Sequence, residues 1–295
     1  MSYAYLKRLP GFEYLAPKTV EETIELLSRY KGQARLLAGG TDLLLDMKRQ
    51  KETPRYVIGL KHVRGLDFIN YDQAAGLSFG PLVTVHAIET SPLIKEKYPV
   101  LSQAASVLGS VQVRNLATVV GNLCSALPSA DMAPGLIVLG ASLKVTGTKA
   151  ERIVAVEDFF RAPGESILAH DELVTGVRVP NPPARSGMAY LKHMTRSAMD
   201  LSIVGVAVLI VLKNGICREV KICLGTVGPV PMGATNAEAV LKGKRPDVRL
   251  MEKAAETASQ ECNPRSSMRA TAEYRREMVA VLTRRALNQA WERAS

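Results

Sequence analysis

The sequence predicts an α+β fold in three consecutive parts: an α/β unit over residues 1–60, a second unit over 61–180, and an antiparallel sheet with a helical bundle over 181–295. Three observations predict it. A paired glycine joins a short apolar strand to a helix near residue 40. A proline-rich stretch, residues 180–187, punctuates the chain at about three-fifths of its length. Beyond it the strand-like runs come first and the helical ones last, the order expected of sheet and helices packed as separate layers.

Taken in order, Thr19-Val20-Glu21-Glu22 has the Thr-x-x-Glu spacing of a capping box. It opens a helix with Val20, Ile24 and Leu27 on one face. Leu36-Leu37-Ala38 reads as a buried strand that runs into Gly39-Gly40-Thr41-Asp42 and a helical stretch over 43–48. Residues 56–60 supply the next strand. Residues 68–71 and 77–79 flank a turn at 72–76 and predict a hairpin. Residues 83–108 read as helix, broken near Pro92 and Pro99 because proline lacks the N–H a helix interior needs. Residues 109–131 show no clear period. Residues 143–146 and 173–179 read as strands closing the second unit. In the last third, 188–194, 203–212 and 219–226 are strands, the latter two joined by Asn214-Gly215, a pair suited to a two-residue hairpin turn. Residues 237–241, 248–260 and 267–290 are helical. In the last of these, Tyr274, Met278, Leu282 and Ala286 recur every four residues and predict one buried stripe.

The 295 residues are 47% hydrophobic and 22% charged, an ordinary globular balance. The longest apolar run, 203–212, is about half of the roughly 20 residues a membrane span requires. The N-terminus, from Met1 to Arg8, lacks the apolar core of an export signal, so a cytoplasmic protein is expected. Cys124, Cys217, Cys223 and Cys262 form no C-x-x-C pair and no Cys/His ligand spacing, which argues against zinc or an iron–sulfur cluster held by this chain alone. They read as reduced, mostly buried thiols. Net charge is +10, and residues 241–295 hold twelve Lys/Arg against seven Asp/Glu. That balance suits an acidic partner or a solvated face equally. Aromatic residues are 5% of the chain and interleave no basic tract, so nucleic acid is not expected as a partner.

Two loops attract chemistry. In Ala38-Gly39-Gly40-Thr41-Asp42, glycines between strand and helix allow backbone N–H groups to approach a diphosphate; the alternative is an ordinary glycine turn. In Thr118-Val119-Val120-Gly121-Asn122, with Pro128-Ser129-Ala130-Asp131 downstream, Gly121 and Asn122 suit a second phosphate or a ribose, and Asp131 suits ribose hydroxyls. The alternative there is a turn stabilised by Asn and Pro. Neither loop is a G-x-G-x-x-G or a P-loop. Lys192, Arg196 and Asp200 follow at intervals of four, either as a surface ion network or with Lys192 placed to stabilise negative charge on a reduced ring. His62, His86, His170 and His193 are scattered, and no nucleophile elbow or carboxylate pair occurs. No catalytic or metal-binding residue is expected in this chain. Chemistry without acid–base machinery points to a bound cofactor that does the work.

In order along the chain, these motifs resemble the flavin subunit of the xanthine dehydrogenase and carbon monoxide dehydrogenase family. Residues 38–44 match its first loop. Residues 111–122 resemble its Q-x-R-N-x-A-T-x-G-G-N loop, and residues 128–131 its P-S-A-D element. Lys192, Arg196 and Asp200 fall at its K-x-x-x-R-x-x-x-D spacing, and Glu273-Tyr274-Arg275-Arg276 resembles its E-Y-R-R. The resemblance covers essentially the whole chain. It implies a two-subdomain FAD-binding portion of the PCMH type ahead of the C-terminal sheet and bundle. It also implies an electron-relaying FAD in this chain, with a molybdopterin cofactor and two [2Fe-2S] clusters in a large and a small partner subunit, the whole a dimer of heterotrimers. Substrate would be handled by the large partner. Carried over, Leu37 heads the first cofactor loop, and Ala38, Gly39, Gly40, Thr41 and Asp42 hold the diphosphate with Thr118, Val120, Gly121 and Asn122. Asp131 takes the ribose and Leu108 the adenine side, while Leu173 and Lys192 approach the isoalloxazine. One departure stands out: the first glycine of the family's G-G-N is Val120, a costly residue if φ is positive there. Either the loop has shifted or the Val120 side chain faces away from the cofactor. The family's occasional cysteine-rich insertion is absent. Two other readings compete: a stand-alone FAD oxidoreductase, and a non-enzymatic nucleotide- or nucleic-acid-binding module.

Overall fold

The computed structural model describes residues 8–295; the segment whose missing export signal is noted above lies, over residues 1–7, outside them. The first part is a three-stranded parallel sheet ordered β1-β3-β2. It comprises β1 (Glu13–Leu15), α1 (Val20–Tyr30), β2 (Ala34–Leu37), α2 (Leu43–Lys48) and β3 (Tyr56–Gly59). Parallel neighbours need crossovers, and α1 and α2 supply them. Thr19 caps α1, its hydroxyl accepting from the Glu22 N–H at 3.1 Å. The return half of the box differs from the sequence pattern, because the Glu22 carboxylate accepts from the N–H of Lys18, one residue further out.

The second part is a five-stranded antiparallel sheet ordered β4-β5-β10-β6-β7 with helices against it. Its elements are β4 (Ile69–Asp72), β5 (Gly76–Phe79), α3 (Val85–Thr90), α4 (Pro92–Lys97), α5 (Pro99–Ser106), α6 (Val111–Arg114), α7 (Val119–Cys124) and α8 (Met132–Val138). Then come β6 (Ser142–Gly147), β7 (Glu151–Ala155), the small hairpin β8 (Phe160–Ala162) and β9 (Glu165–Ser166), and β10 (Glu172–Val179). The two prolines fall at the first positions of α4 and α5, so they divide one helical run into three. The aperiodic stretch 109–131 is made of α6 and α7, each too short to show a period.

The third part is an antiparallel sheet, β11 (Ser186–His193), β12 (Val204–Lys213), β13 (Ile216–Gly225) and β14 (Met232–Gly233), followed by α9 (Thr235–Leu241), α10 (Val248–Glu261) and α11 (Ala272–Ala294). Asn214 and Gly215 both take positive φ, 54° and 76°, as a tight two-residue turn demands. β12 is buried on both faces, which explains its unbroken apolar run. Val204, Val206, Val208, Ile210 and Leu212 face α9–α11, while Ala207, Leu209 and Val211 join the core of the second part. The stripe expected on α11 needs correction, since Tyr274 is exposed and the buried line runs through Arg275, Val279, Leu282, Thr283, Ala286, Leu287, Ala290 and Ala294. Strict four-residue steps overshoot a 3.6-residue turn and rotate off the packed face. Among the described residues no helix is long and apolar enough to cross a membrane.

Candidate cofactor site

The first loop leaves β2 at Leu37 and enters α2 after Gly40, whose φ of +73° requires glycine. Gly39 is pressed against the second part: a Cβ on it would lie 2.0 Å from the Leu116 carbonyl oxygen and 3.0 Å from the Ala117 Cα. The two loops singled out in the sequence therefore touch, backbone to backbone. Among the described residues, the N–H groups of Gly39 and Thr41 find no hydrogen-bond acceptor in the protein.

The second loop is tied to α3 by an isolated bridge between Thr84 and Thr118. Val85 N–H donates to Ala117 O at 2.8 Å, and Val119 N–H to Val83 O at 3.1 Å. Thr118 caps α7, its hydroxyl accepting from Gly121 N–H at 3.0 Å. Val120 is the second residue of α7 and is not among the positive-φ residues. Its side chain is 5% exposed, inside the central core. The costly outcome does not arise, because the valine faces away from the loop surface. Asn122 accepts from Met132 N–H at 3.2 Å and so joins this loop to the turn carrying Asp131. Buried Arg114 forks onto Glu89 at 2.7 and 3.0 Å and donates to Leu108 O at 3.0 Å, which pins Leu108. Although burial opposes it, this arginine, with His86, holds the Glu89 carboxyl below its usual range.

Asp131 and Lys192 meet in the interior. Lys192 Nζ donates to Asp131 Oδ2 at 2.8 Å and to Val107 O at 3.1 Å, its side chain 1% exposed. Tyr190 Oη donates to Asp131 Oδ1 at 2.9 Å. Burial pushes the Asp131 carboxyl up, against the pull of Lys192 and Tyr190. Leu173 lies elsewhere: it is fully buried with Ile24, Leu60, Val63 and Leu66, packed against Ala38, where β10 meets the first part. The two residues expected together at the ring are thus in separate clusters.

The four-residue spacing of Lys192, Arg196 and Asp200 does not make one network. Lys192 turns inward on its strand, while Arg196 and Arg269 flank Asp200 at 3.5 and 4.0 Å on the surface side. Asp200 organises its loop by accepting from Thr195 N–H, the Thr195 hydroxyl, Arg196 N–H and Leu201 N–H. Those hydrogen bonds, that from the Thr195 hydroxyl first, hold it far below the usual carboxylate range. In the 273–276 motif, buried Arg275 donates to Ile203 O and the Ser267 hydroxyl, a packing role. The four cysteines are free thiols, three of them buried, and burial pushes Cys217 up to about 11. Among the described residues, no group of three or more His, Cys, Asp or Glu is placed to hold a metal. A groove of about 730 Å³ along the 180–187 stretch is lined by none of the predicted site residues. Sequence reasoning missed Tyr190, although a strand reading puts residues 190 and 192 on one face. It also missed the contact at Leu116, for which the sequence holds no signal.

Two loops that lead into helices meet at a glycine, and comparison with known proteins places the whole chain in a family. The model for the FAD binding domain in molybdopterin dehydrogenase matches residues 10–182, and that for the CO dehydrogenase flavoprotein C-terminal domain matches 189–290. The chain is 32% identical to the carbon monoxide dehydrogenase medium chain of Afipia carboxidovorans, over 97% of this chain and 99% of that one. It is 30% identical to a putative xanthine dehydrogenase FAD-binding subunit of Escherichia coli, over 94% and 95%. Its structure matches a chain of carbon monoxide dehydrogenase from Hydrogenophaga pseudoflava with a TM-score of 0.94 at 31% identity, covering 97% of this chain and 99% of that one. The chain belongs to the family of FAD-binding subunits of molybdopterin dehydrogenases.

Proposed function

We infer that this chain is the FAD-carrying electron-transfer subunit of a heteromeric molybdenum-containing hydroxylase or dehydrogenase. The observation that carries the reading is the junction of the two loops at Gly39 and Leu116, within a frame shared along 97% of the chain with a carbon monoxide dehydrogenase subunit. FAD, when bound, supplies passage between one-electron and two-electron carriers. The protein supplies position. Residues 37–42 and 118–122 hold the diphosphate, with Gly39 and Thr41 of the first loop offering N–H groups that no protein acceptor takes. Leu108, pinned by Arg114, borders the adenine side. Asp131 takes the ribose, and Lys192, paired with it, and Leu173, buried in the cluster that Ala38 packs against, approach the isoalloxazine. Residues 1–60, 61–180 and 181–295 are the three units, with each break falling between sheets.

The partners are a small subunit with two [2Fe-2S] clusters and a large molybdopterin subunit, assembled as a dimer of heterotrimers in the cytoplasm. Relatives named as medium chains support companions of both sizes. Neither a stand-alone oxidoreductase nor a nucleic-acid-binding module is favoured, since the relatives are subunits of larger dehydrogenases. The test is the visible spectrum of the chain purified with its partners, followed by acid release and chromatography of the flavin. About one FAD per chain is expected. A colourless complex that takes up no added FAD overturns the reading.

A further inference from the structure

Tyr190 belongs to none of the motifs, yet its surroundings are built around its hydroxyl. The ring is 4% exposed, and the backbone N–H donates to Gln103 Oε1 of α5 at 2.8 Å. The hydroxyl donates to Asp131 Oδ1 at 2.9 Å. Two residues along the same strand, hence on the same face, Lys192 takes the other oxygen of that carboxylate at 2.8 Å. Across the sheet, Gly205 of β12 leaves room for the phenol group: a Cβ there would lie 2.9 Å from Tyr190 Oη. A phenylalanine would fill the ring space without needing that clearance.

The grip reaches the cofactor loops by a short path. Asp131 directly precedes Met132, whose N–H donates to Asn122 of the second loop at 3.2 Å. Lys192, held by the same carboxylate, ends on Val107 O, one residue before Leu108. One carboxylate thus connects the C-terminal sheet, the second cofactor loop and the adenine-side segment.

We propose that Tyr190 is a positioning residue of the FAD site: by holding the Asp131 carboxylate it sets the Asn122 loop and the Lys192 ammonium for the cofactor. This rests on the reading that residues 118–122, Asp131 and Lys192 serve FAD. The hydrogen bond joins a hydroxyl to a carboxylate, the charge-assisted kind whose loss is felt most. Ring burial and strand pairing survive in Tyr190→Phe, so stability and cofactor affinity separate.

The groups facing Asp131 are Lys192 and Tyr190, and Cys223 of β13 lies near Tyr190. The tyrosine hydrogen bond lowers the Asp131 pKa. Its removal raises that pKa further, so the ionised form is lost at a higher pH as pH falls.

The experiment compares wild type, Tyr190→Phe and Gly205→Ala in the complex with its partners. Each complex is stripped of flavin and titrated with FAD by fluorescence between pH 5 and 8, and the melting temperature of each stripped form is measured. Tyr190→Phe is expected to melt within a few degrees of wild type. It is expected to bind FAD about tenfold more weakly, as loss of a hydrogen bond to a charged group implies, and to lose FAD at a higher pH. Gly205→Ala keeps the tyrosine but crowds its hydroxyl. It should weaken FAD binding in the same direction, which serves the test if the phenylalanine variant does not fold. Wild-type affinity and an unmoved pH profile in both variants overturn the proposal while leaving the FAD reading intact. Weakened binding that only tracks a fall in melting temperature, with no pH shift, also overturns it. A wild type that binds no FAD overturns both.

Discussion

Gly39 is the residue on which the junction of the loops depends. Its missing Cβ is required by packing, because the nearest atoms are backbone atoms of Leu116 and Ala117 that cannot rotate away. Gly39→Ala is therefore expected to cost about 1–3 kcal/mol, the range for forcing extra volume into a packed site, and to reduce FAD content. Chemical denaturation and flavin release measure the two effects. A variant with wild-type stability and full flavin content would show that the loops do not need this contact. The paired glycine is legible in the sequence as a turn, and Gly40 does what a turn glycine does, with φ of +73°. What Gly39 touches is not legible, because Leu116 is 77 residues away and only the fold brings it there. Val120 teaches the converse. Against a motif it looks like a lesion, but one position inside a helix it is an ordinary core residue.

Among elements, strands and helices with a strong period or a clear break were readable. The cap of α1, the prolines opening α4 and α5, the Asn214-Gly215 turn and the doubly buried β12 all follow from local chemistry. The short strands β1, β7, β8, β9 and β14 drew no expectation, and two further features escaped. α6 and α7 carry caps at Ser110 and Thr118 but are too short to show a period, and the Thr84–Thr118 bridge ties α7 to α3. The loop after β11 is organised by one carboxylate, Asp200, whose five hydrogen bonds no spacing rule announces. Asp200 carries a pH prediction. Its folded pKa lies below the unfolded value near 3.8, so its contribution to stability is present above that value and is lost as pH falls through and below it. Asp200→Asn should flatten the fall of melting temperature between about pH 4 and pH 2. If the slope is unchanged, Asp200 is not the group responsible.

At the scale of the molecule, the C-terminal sheet is a shared wall. One face of β12 packs on α9–α11 and the other enters the core of the second part, alongside Met188, Tyr190 and Cys223. The 180–187 stretch is not a free tether either, since Asn181 accepts from Tyr98 Oη at 3.2 Å and donates to Gln73 O at 2.8 Å. A fragment ending at residue 183 would expose that apolar face and leave Asp131 without either partner. It is expected to keep far-ultraviolet helix and sheet signals while losing near-ultraviolet ones and failing to retain FAD. A sharply melting fragment that binds FAD would show that the FAD-binding portion stands alone.

By itself the sequence determined the run from α1 to β3, the helices that open at Pro92 and Pro99, the hairpin between β12 and β13, and the two glycine- and threonine-marked turns. These depend on residues close together along the chain: caps, prolines, turn pairs and periodic apolar faces. The tertiary structure alone decided that the loops meet at Gly39 and Leu116, that Lys192 turns inward to Asp131 and Tyr190, and that Leu173 is buried with Ile24, Leu60, Val63 and Leu66. Those are contacts across dozens of residues, set by how sheets stack and which faces they bury, and no local pattern encodes the distance between two buried side chains.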